Sequence, residues 1–266
     1  MSETLHVDRQ GSITVVALKG KTMTTRLFSE LAEVFAAIAE DAEARAVIVR
    51  SQHRDFTFGL DLQSAFADLG AVLQGGLAGP RMALKRTIER LQAGIDAVAD
   101  CPVPVIAAVS GRCIGGGIDL ITACDLRLAS ADAVFSVRET KVAIVADLGT
   151  LQRLPRIVGP GHARELAFTG KDIDAARAAA IGLVNHVHAD ADALQAAALA
   201  LAQEIAENPP LTVRGVKDVM NFSADRDVAS GLAYVAAYNA ACLPSEDLGE
   251  AAAAFFARRA PSFRGR

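Results

Sequence analysis

Residues Ser110–Gly159 read SGRCIGGGIDLITACDLRLASADAVFSVRETKVAIVADLGTLQRLPRIVG. Three carboxylates, Asp119, Glu139 and Asp147, stand here in largely glycine-rich and apolar surroundings: IGGGIDLI around the first, VAIVADLGTL around the last. Asp and Glu are seldom buried without a partner, because an ionised carboxylate loses its hydration there. Three acids brought together repel as anions. One pKa then rises, and a protonated acid stands beside an ionised base. Moving a proton across a substrate requires that combination. The plainer reading of each acid is a solvated carboxylate, with Asp119 only favouring the dipole of a helix start.

The glycines Gly115–Gly117 lack the GxGxxG spacing of a dinucleotide loop, and no P-loop lysine follows. Two readings stand side by side. One is tight strand-to-helix packing. The other is an array of N–H groups at a helix start that stabilises developing negative charge, such as the enolate oxygen of a thioester. Ser110 and Cys113 lie nearby, but nothing marks either as an activated nucleophile, and no GxSxG elbow is present. Asp125 and Arg127 read as a structural ion pair. Arg153 and Arg156 suit phosphate binding or surface pairing equally.

Outward from this segment, short apolar runs alternate with helical periodicity. Ser12–Leu18 and Ala46–Val49 read as strands around a helix over Thr24–Ala39, a βαβ unit. FTFGLDL over Phe56–Leu62 contains Gly59, which permits close backbone approach to a ligand. Gly70–Arg81 reads as a mobile loop, and Met82–Val98 as a helix. Val105–Val109, Asp125–Ala129 and Val134–Val137 are further strand candidates. His162–Phe168 and Ala175–Ala180 read as short helices, and Gly182–Val187 as a turn and strand. The chain then becomes mainly helical: Ala191–Ile205, Pro210 toward Met220, Asp227–Cys242 and Ala251–Arg258. The pattern describes an α/β core over residues 1–190 and a helical region over 191–266.

Composition narrows the function classes. The 266 residues carry 27 basic and 31 acidic side chains, a formal charge of −4, with no Trp, so neither a basic field nor a stacking platform favours nucleic acid. The four cysteines form no CxxC pair and have no histidine at metal-ligand spacing, which points to buried thiols and no metal. No signal peptide, lipidation box or membrane-length apolar run is visible, and a cytoplasmic protein is expected.

The segments FTFGLDL, CPVPVIAAVSGRCIGGGIDL, ACDLRLASADAVFSV, LGTLQRLPRIVG and ELAFTGKDIDAARAAAIGLVNHV resemble the enoyl-CoA hydratase/isomerase, or crotonase, family over nearly the whole chain. The resemblance implies a ClpP/crotonase-like fold of repeated ββα units in two roughly perpendicular sheets, followed by helices that drive trimer formation, two trimers commonly making a hexamer. It implies an acyl-CoA substrate held at its thioester oxygen by two backbone N–H groups, assigned by motif to Phe58 and Gly116. Phe58 and Ala143 depart from the small residue and the glycine common at those places. The acids Asp119, Glu139 and Asp147 together resemble Δ3,5-Δ2,4-dienoyl-CoA isomerases, with Glu139 and Asp147 as the proton-transferring pair and Asp119 in support. No separate cofactor is implied. The alternatives are hydration of a 2-enoyl-CoA, with Asp119 replacing a usual Glu, and a non-enzymatic RNA-binding or assembly role.

Overall fold

The structure, a computed structural model, describes residues 2–63, 65 and 78–266. A hairpin opens it: β1 (Leu5–Gln10) runs antiparallel to β2 (Ile13–Leu18), turning at Gly11 with φ +64°. The sequence pattern misses β1, because five of its six residues are exposed and LHVDRQ carries little apolar signal. Helix α1 (Thr25–Glu40) then leads to β3 (Ala46–Ser51), parallel to β2, which gives the expected crossover.

Helix α2 spans Ala78–Ala99. It takes in Ala78–Arg81, ahead of the expected Met82; residues 70–77 of the expected loop lie outside the described residues. α2 lies close along α1: a Cβ built on Gly94 would stand 2.2 Å from the Phe28 carbonyl oxygen.

Strand β4 (Val105–Val109) joins the main sheet beside β3. At Ser110–Gly111 the chain turns into β5 (Arg112–Ile114), part of a second sheet, and then into α3 (Gly116–Ala123). The unit repeats with β6 (Leu126–Ser130) in the main sheet and β7 (Val134–Ser136) in the second. A 3₁₀ turn (Glu139–Val142), α4 (Thr150–Val158), α5 (Pro160–Thr169), β8 (Ile173–Asp174), α6 (Ala175–Ala180) and β9 (His186–His188) follow. The main sheet has the order β1-β2-β3-β4-β6-β9, and the second β5-β7-β8.

Strand alternation sends side chains to two cores. Val16, Leu18, Val47, Val49, Val105, Ala107 and Val109 pack against α1, α2 and α3 on one face. Ile13, Val15, Ala46, Ile48, Ile106, Ala108 and Leu128 face α7 (Ala191–Ala206), which presents Leu194, Ala198 and Ala202 at four-residue spacing. Both faces are covered, so these strands read as unbroken apolar runs. Helix α7, placed by the sequence reading in the C-terminal region, thus packs on the sheet. After it come α8 (Pro210–Ser223), α9 (Val228–Cys242) and α10 (Glu246–Ala257). Ser245 caps α10, so this helix begins five residues before the expected Ala251.

Asp125 and Arg127 do not pair. Arg127 donates to the carbonyls of Cys124 (2.7 Å) and Leu183 (2.8 Å). Asp125 accepts from the buried Lys217 ammonium at 2.7 Å, which fastens α8 to the entrance of β4. The signal was invisible locally, because the partner comes from 92 residues away.

Candidate active site

Two glycine turns meet at the start of α3. Gly115 has φ +54° and Gly59 has φ +87°, backbone that a side chain rarely adopts. A Cβ built on Gly59 would lie 2.7 Å from the Ile114 oxygen and 3.4 Å from the Gly116 nitrogen. The Phe58–Leu60 backbone therefore lies directly against the Gly115–Gly116 turn. The glycine run packs closely against that backbone and opens α3. Gly116 is the first residue of α3, so its N–H has no intrahelical acceptor.

The second N–H differs from the sequence expectation. The Phe58 N–H donates to the Lys21 carbonyl at 2.8 Å. It is therefore committed to the fold and turned away from Gly116. The Gly59 carbonyl accepts from Met23 N–H at 2.8 Å on that same side. In a trans peptide the C=O of one residue and the N–H of the next point oppositely. The Leu60 N–H thus faces away from Met23, on the side of Gly116, and it makes no hydrogen bond among the described residues. A Cβ built on Gly116 would stand 3.8 Å from the Leu60 nitrogen. The Leu60 and Gly116 N–H groups are thus neighbours, and neither is used in a hydrogen bond among the described residues. The missed signal was the left-handed Gly59, which resets the strand alternation. The Phe58 ring is 43% exposed.

The three acids converge. Asp119 sits within α3, every residue of which is buried, and is 1% exposed. Its Oδ1 accepts the Thr150 N–H, at the start of α4, at 2.7 Å. Burial raises its pKa despite that bond, and the charge of Asp147 raises it further. Glu139 begins the 3₁₀ turn and reaches back over the glycines, where its Oε1 would stand 3.3 Å from a Cβ on Gly115. Its Oε2 is buried with no hydrogen-bond partner among the described residues. Burial lifts the Glu139 pKa to about 7, and the charges of Asp119 and Asp147 push the same way. Burial also raises Asp147.

The loop that carries Asp147 is tightly held. Gln92 on α2 donates to the Asp147 carbonyl at 2.6 Å. Arg153 pairs with Asp96 and reaches the Leu148 carbonyl at 3.4 Å, so it is engaged within the chain. Ala143 ends the 3₁₀ turn in left-handed backbone, φ 58° and ψ 33°, the physical reason a glycine suits that place.

The cysteines are free, and burial raises the thiols of Cys113 and Cys124, the latter to about 12. Ser110 donates to the Arg54 carbonyl. Neither residue type is set up as a nucleophile here. Among the described residues, no three His, Cys, Asp or Glu side chains are arranged to hold a metal ion, and no helix is long and apolar enough to cross a membrane.

Together the site holds a half-buried carboxylic acid shifted to about 7, two neighbouring carboxylates and the adjacent Leu60 and Gly116 N–H groups, the residue types that proton transfer beside a developing oxyanion calls for. The family comparison agrees. The model of the enoyl-CoA hydratase/isomerase family matches residues 8–266, and the chain belongs to that family. It is similar to the mitochondrial Delta(3,5)-Delta(2,4)-dienoyl-CoA isomerase of Dictyostelium discoideum, 44% identical over 243 residues, 91% of this chain and 83% of that protein. It is also similar to the peroxisomal protein of that name from Arabidopsis thaliana, 41% identical over 89% of this chain and 85% of the relative. Among solved structures, an enoyl-CoA hydratase from Bacillus anthracis superposes with a TM-score of 0.90 at 30% identity, covering 99% of this chain and 100% of that one. The chain has the crotonase fold. The expected cytoplasmic location is overturned, since the similar curated proteins carry mitochondrial or peroxisomal designations.

Proposed function

We propose that this enzyme converts a 3,5-dienoyl-CoA into the 2,4-dienoyl-CoA. Its most similar named relatives among those above are dienoyl-CoA isomerases, which favours this reading over hydration of a 2-enoyl-CoA. The single observation that carries it is the third acid, Asp147, whose charge acts on both Glu139 and Asp119. A hydration site needs two acids around one water. A proton shift along a diene needs acids serving two distant carbons.

In the proposed reaction one carboxylate breaks the C2–H bond. The electron pair spreads over the diene and onto the thioester oxygen, which the Leu60 and Gly116 N–H groups receive. A second group, protonated as the carboxylic acid, then delivers its proton to C6 and becomes a carboxylate, leaving double bonds at C2 and C4. Glu139 and Asp147 form this pair. Asp119, held by the Thr150 N–H, supports them through charge. Two backbone donors on a developing oxyanion are together worth on the order of several kcal/mol.

The same reading includes a trimer, or a dimer of trimers, assembled through the C-terminal helices. Phe255 and Phe256 on α10 are 79% and 83% exposed, and Leu232 on α9 and Met220 on α8 are also exposed. An apolar groove of about 390 Å³ between α8, α9 and α10 continues this surface. Such a patch suits burial against another copy.

The test is a turnover panel of matched 3,5-dienoyl-CoA and 2-enoyl-CoA thioesters. Gain of conjugated-diene absorbance, lowered at least ~100-fold in Asp147→Asn, is expected. Rapid loss of 2-enoyl absorbance with diene turnover unchanged in Asp147→Asn would replace this reading by hydration.

A further inference from the structure

Asp147 lies in a segment, Ala146–Gly149, that belongs to no helix or strand. A catalytic carboxylate on such a segment needs its backbone fixed from outside. Three anchors do so in succession. The Asp147 carbonyl accepts from Gln92 Nε2 at 2.6 Å. The Leu148 carbonyl accepts from Arg153 Nη1 at 3.4 Å. The Thr150 N–H donates to Asp119 Oδ1 at 2.7 Å.

Gln92 and Asp96 stand four residues apart on α2, and therefore on one face of it. Gln92 holds Asp147 directly. Asp96 holds the guanidinium of Arg153, which in turn holds Leu148. Gly149 completes the fit: with φ +119°, a Cβ there would lie 1.9 Å from Arg153 Nη1. The loop is closed against α2 by hydrogen bonds and a surface ion pair, and the Gln92 amide is the only one of these groups that touches the Asp147 backbone among the described residues.

We propose that the α2 face formed by Gln92 and Asp96 is a positioning device that sets the Asp147 carboxylate, and with it one of the two proton transfers, through anchors that do not hold Glu139. This rests on the isomerase reading. Glu139 is carried by the 3₁₀ turn, and among the described residues no hydrogen bond joins it to α2, so the two acids are held by separate anchors. Loosening α2's hold should therefore impair one carbon and spare the other.

The experiment uses the full chain in D₂O with a 3,5-dienoyl-CoA and, separately, its 2,4-isomer. Deuterium is read at C2 of the first and C6 of the second. Wild-type enzyme labels both. Gln92→Leu removes the donor; Gln92→Glu keeps the length and shape but presents an acceptor to the Asp147 carbonyl. Both variants are expected to keep labelling at the carbon served by Glu139. Labelling at the other carbon, the one lost in Asp147→Asn, should fall about 10- to 100-fold together with kcat, as small misplacements of reacting groups do, while KM changes less than about threefold. Equal loss at both carbons, or wild-type labelling at both, in the two Gln92 variants overturns the positioning role. If wild-type enzyme forms no conjugated diene from the 3,5-dienoyl-CoA, the isomerase reading itself fails and the inference falls with it.

Discussion

Glu139→Gln should destroy activity and at the same time stabilise the fold above neutral pH. The carboxyl has a folded pKa of about 7 against an ordinary value of 4.5, chiefly through burial. A folded pKa above the unfolded one means that the native state binds the proton more tightly between those two values. Wild-type stability therefore falls as pH rises through that window, and the full cost is present above it. The difference corresponds to on the order of 3 kcal/mol. The amide that replaces the acid inherits a site where Oε2 has no partner, which gives back about 1 kcal/mol. The net expectation is a variant about 2 kcal/mol more stable than wild type near pH 8 and about 1 kcal/mol less stable near pH 4.5. For a chain of this size that is roughly 4–8 °C in Tm. Thermal or urea unfolding across this pH range, at one fixed protein concentration because association shifts apparent stability, measures it. Curves for the two proteins that stay parallel from acid to alkaline pH, or a variant less stable at pH 8, would refute burial as the origin of the raised pKa.

Three further outcomes are expected. Ala143→Gly should raise stability by about 1 kcal/mol in urea unfolding, because it relieves a left-handed alanine at φ 58°. Gly94→Ala should cost more than about 3 kcal/mol, since the new methyl would stand 2.2 Å from the Phe28 backbone oxygen and force α1 from α2; a loss under about 1 kcal/mol would show that the helices separate easily. Lys217→Met should cost about 3 kcal/mol in chemical unfolding by leaving Asp125 with only the Val105 N–H, and Lys217→Met with Asp125→Asn should recover part of that loss.

Much of the fold is local information. The helix over Thr25–Glu40 follows from apolar spacing, and the strands at Ile13, Ala46 and Val105 from short unbroken apolar runs between turns. Strand β1 escaped because it lies at a sheet edge with its side chains exposed, where no apolar pattern is needed. Helix α4 escaped as well: it begins after a left-handed glycine without a capping side chain and contains Pro155. The three acids were legible as unusual chemistry in apolar surroundings.

What the sequence by itself determined is the residue types at the site, the glycines that let two turns meet and the family to which the chain belongs. Tertiary structure alone decided which N–H faces which way. Gly59 at φ +87° breaks the strand alternation, so the Phe58 N–H is bonded to Lys21 and the Leu60 N–H faces Gly116; the glycine is visible in the sequence, but the direction of its backbone is not. It also decided the partners. Asp125 meets Lys217 and Asp147 meets Gln92 across 92 and 55 residues, because packing, and not proximity along the chain, brings a charge or an amide within hydrogen-bond reach.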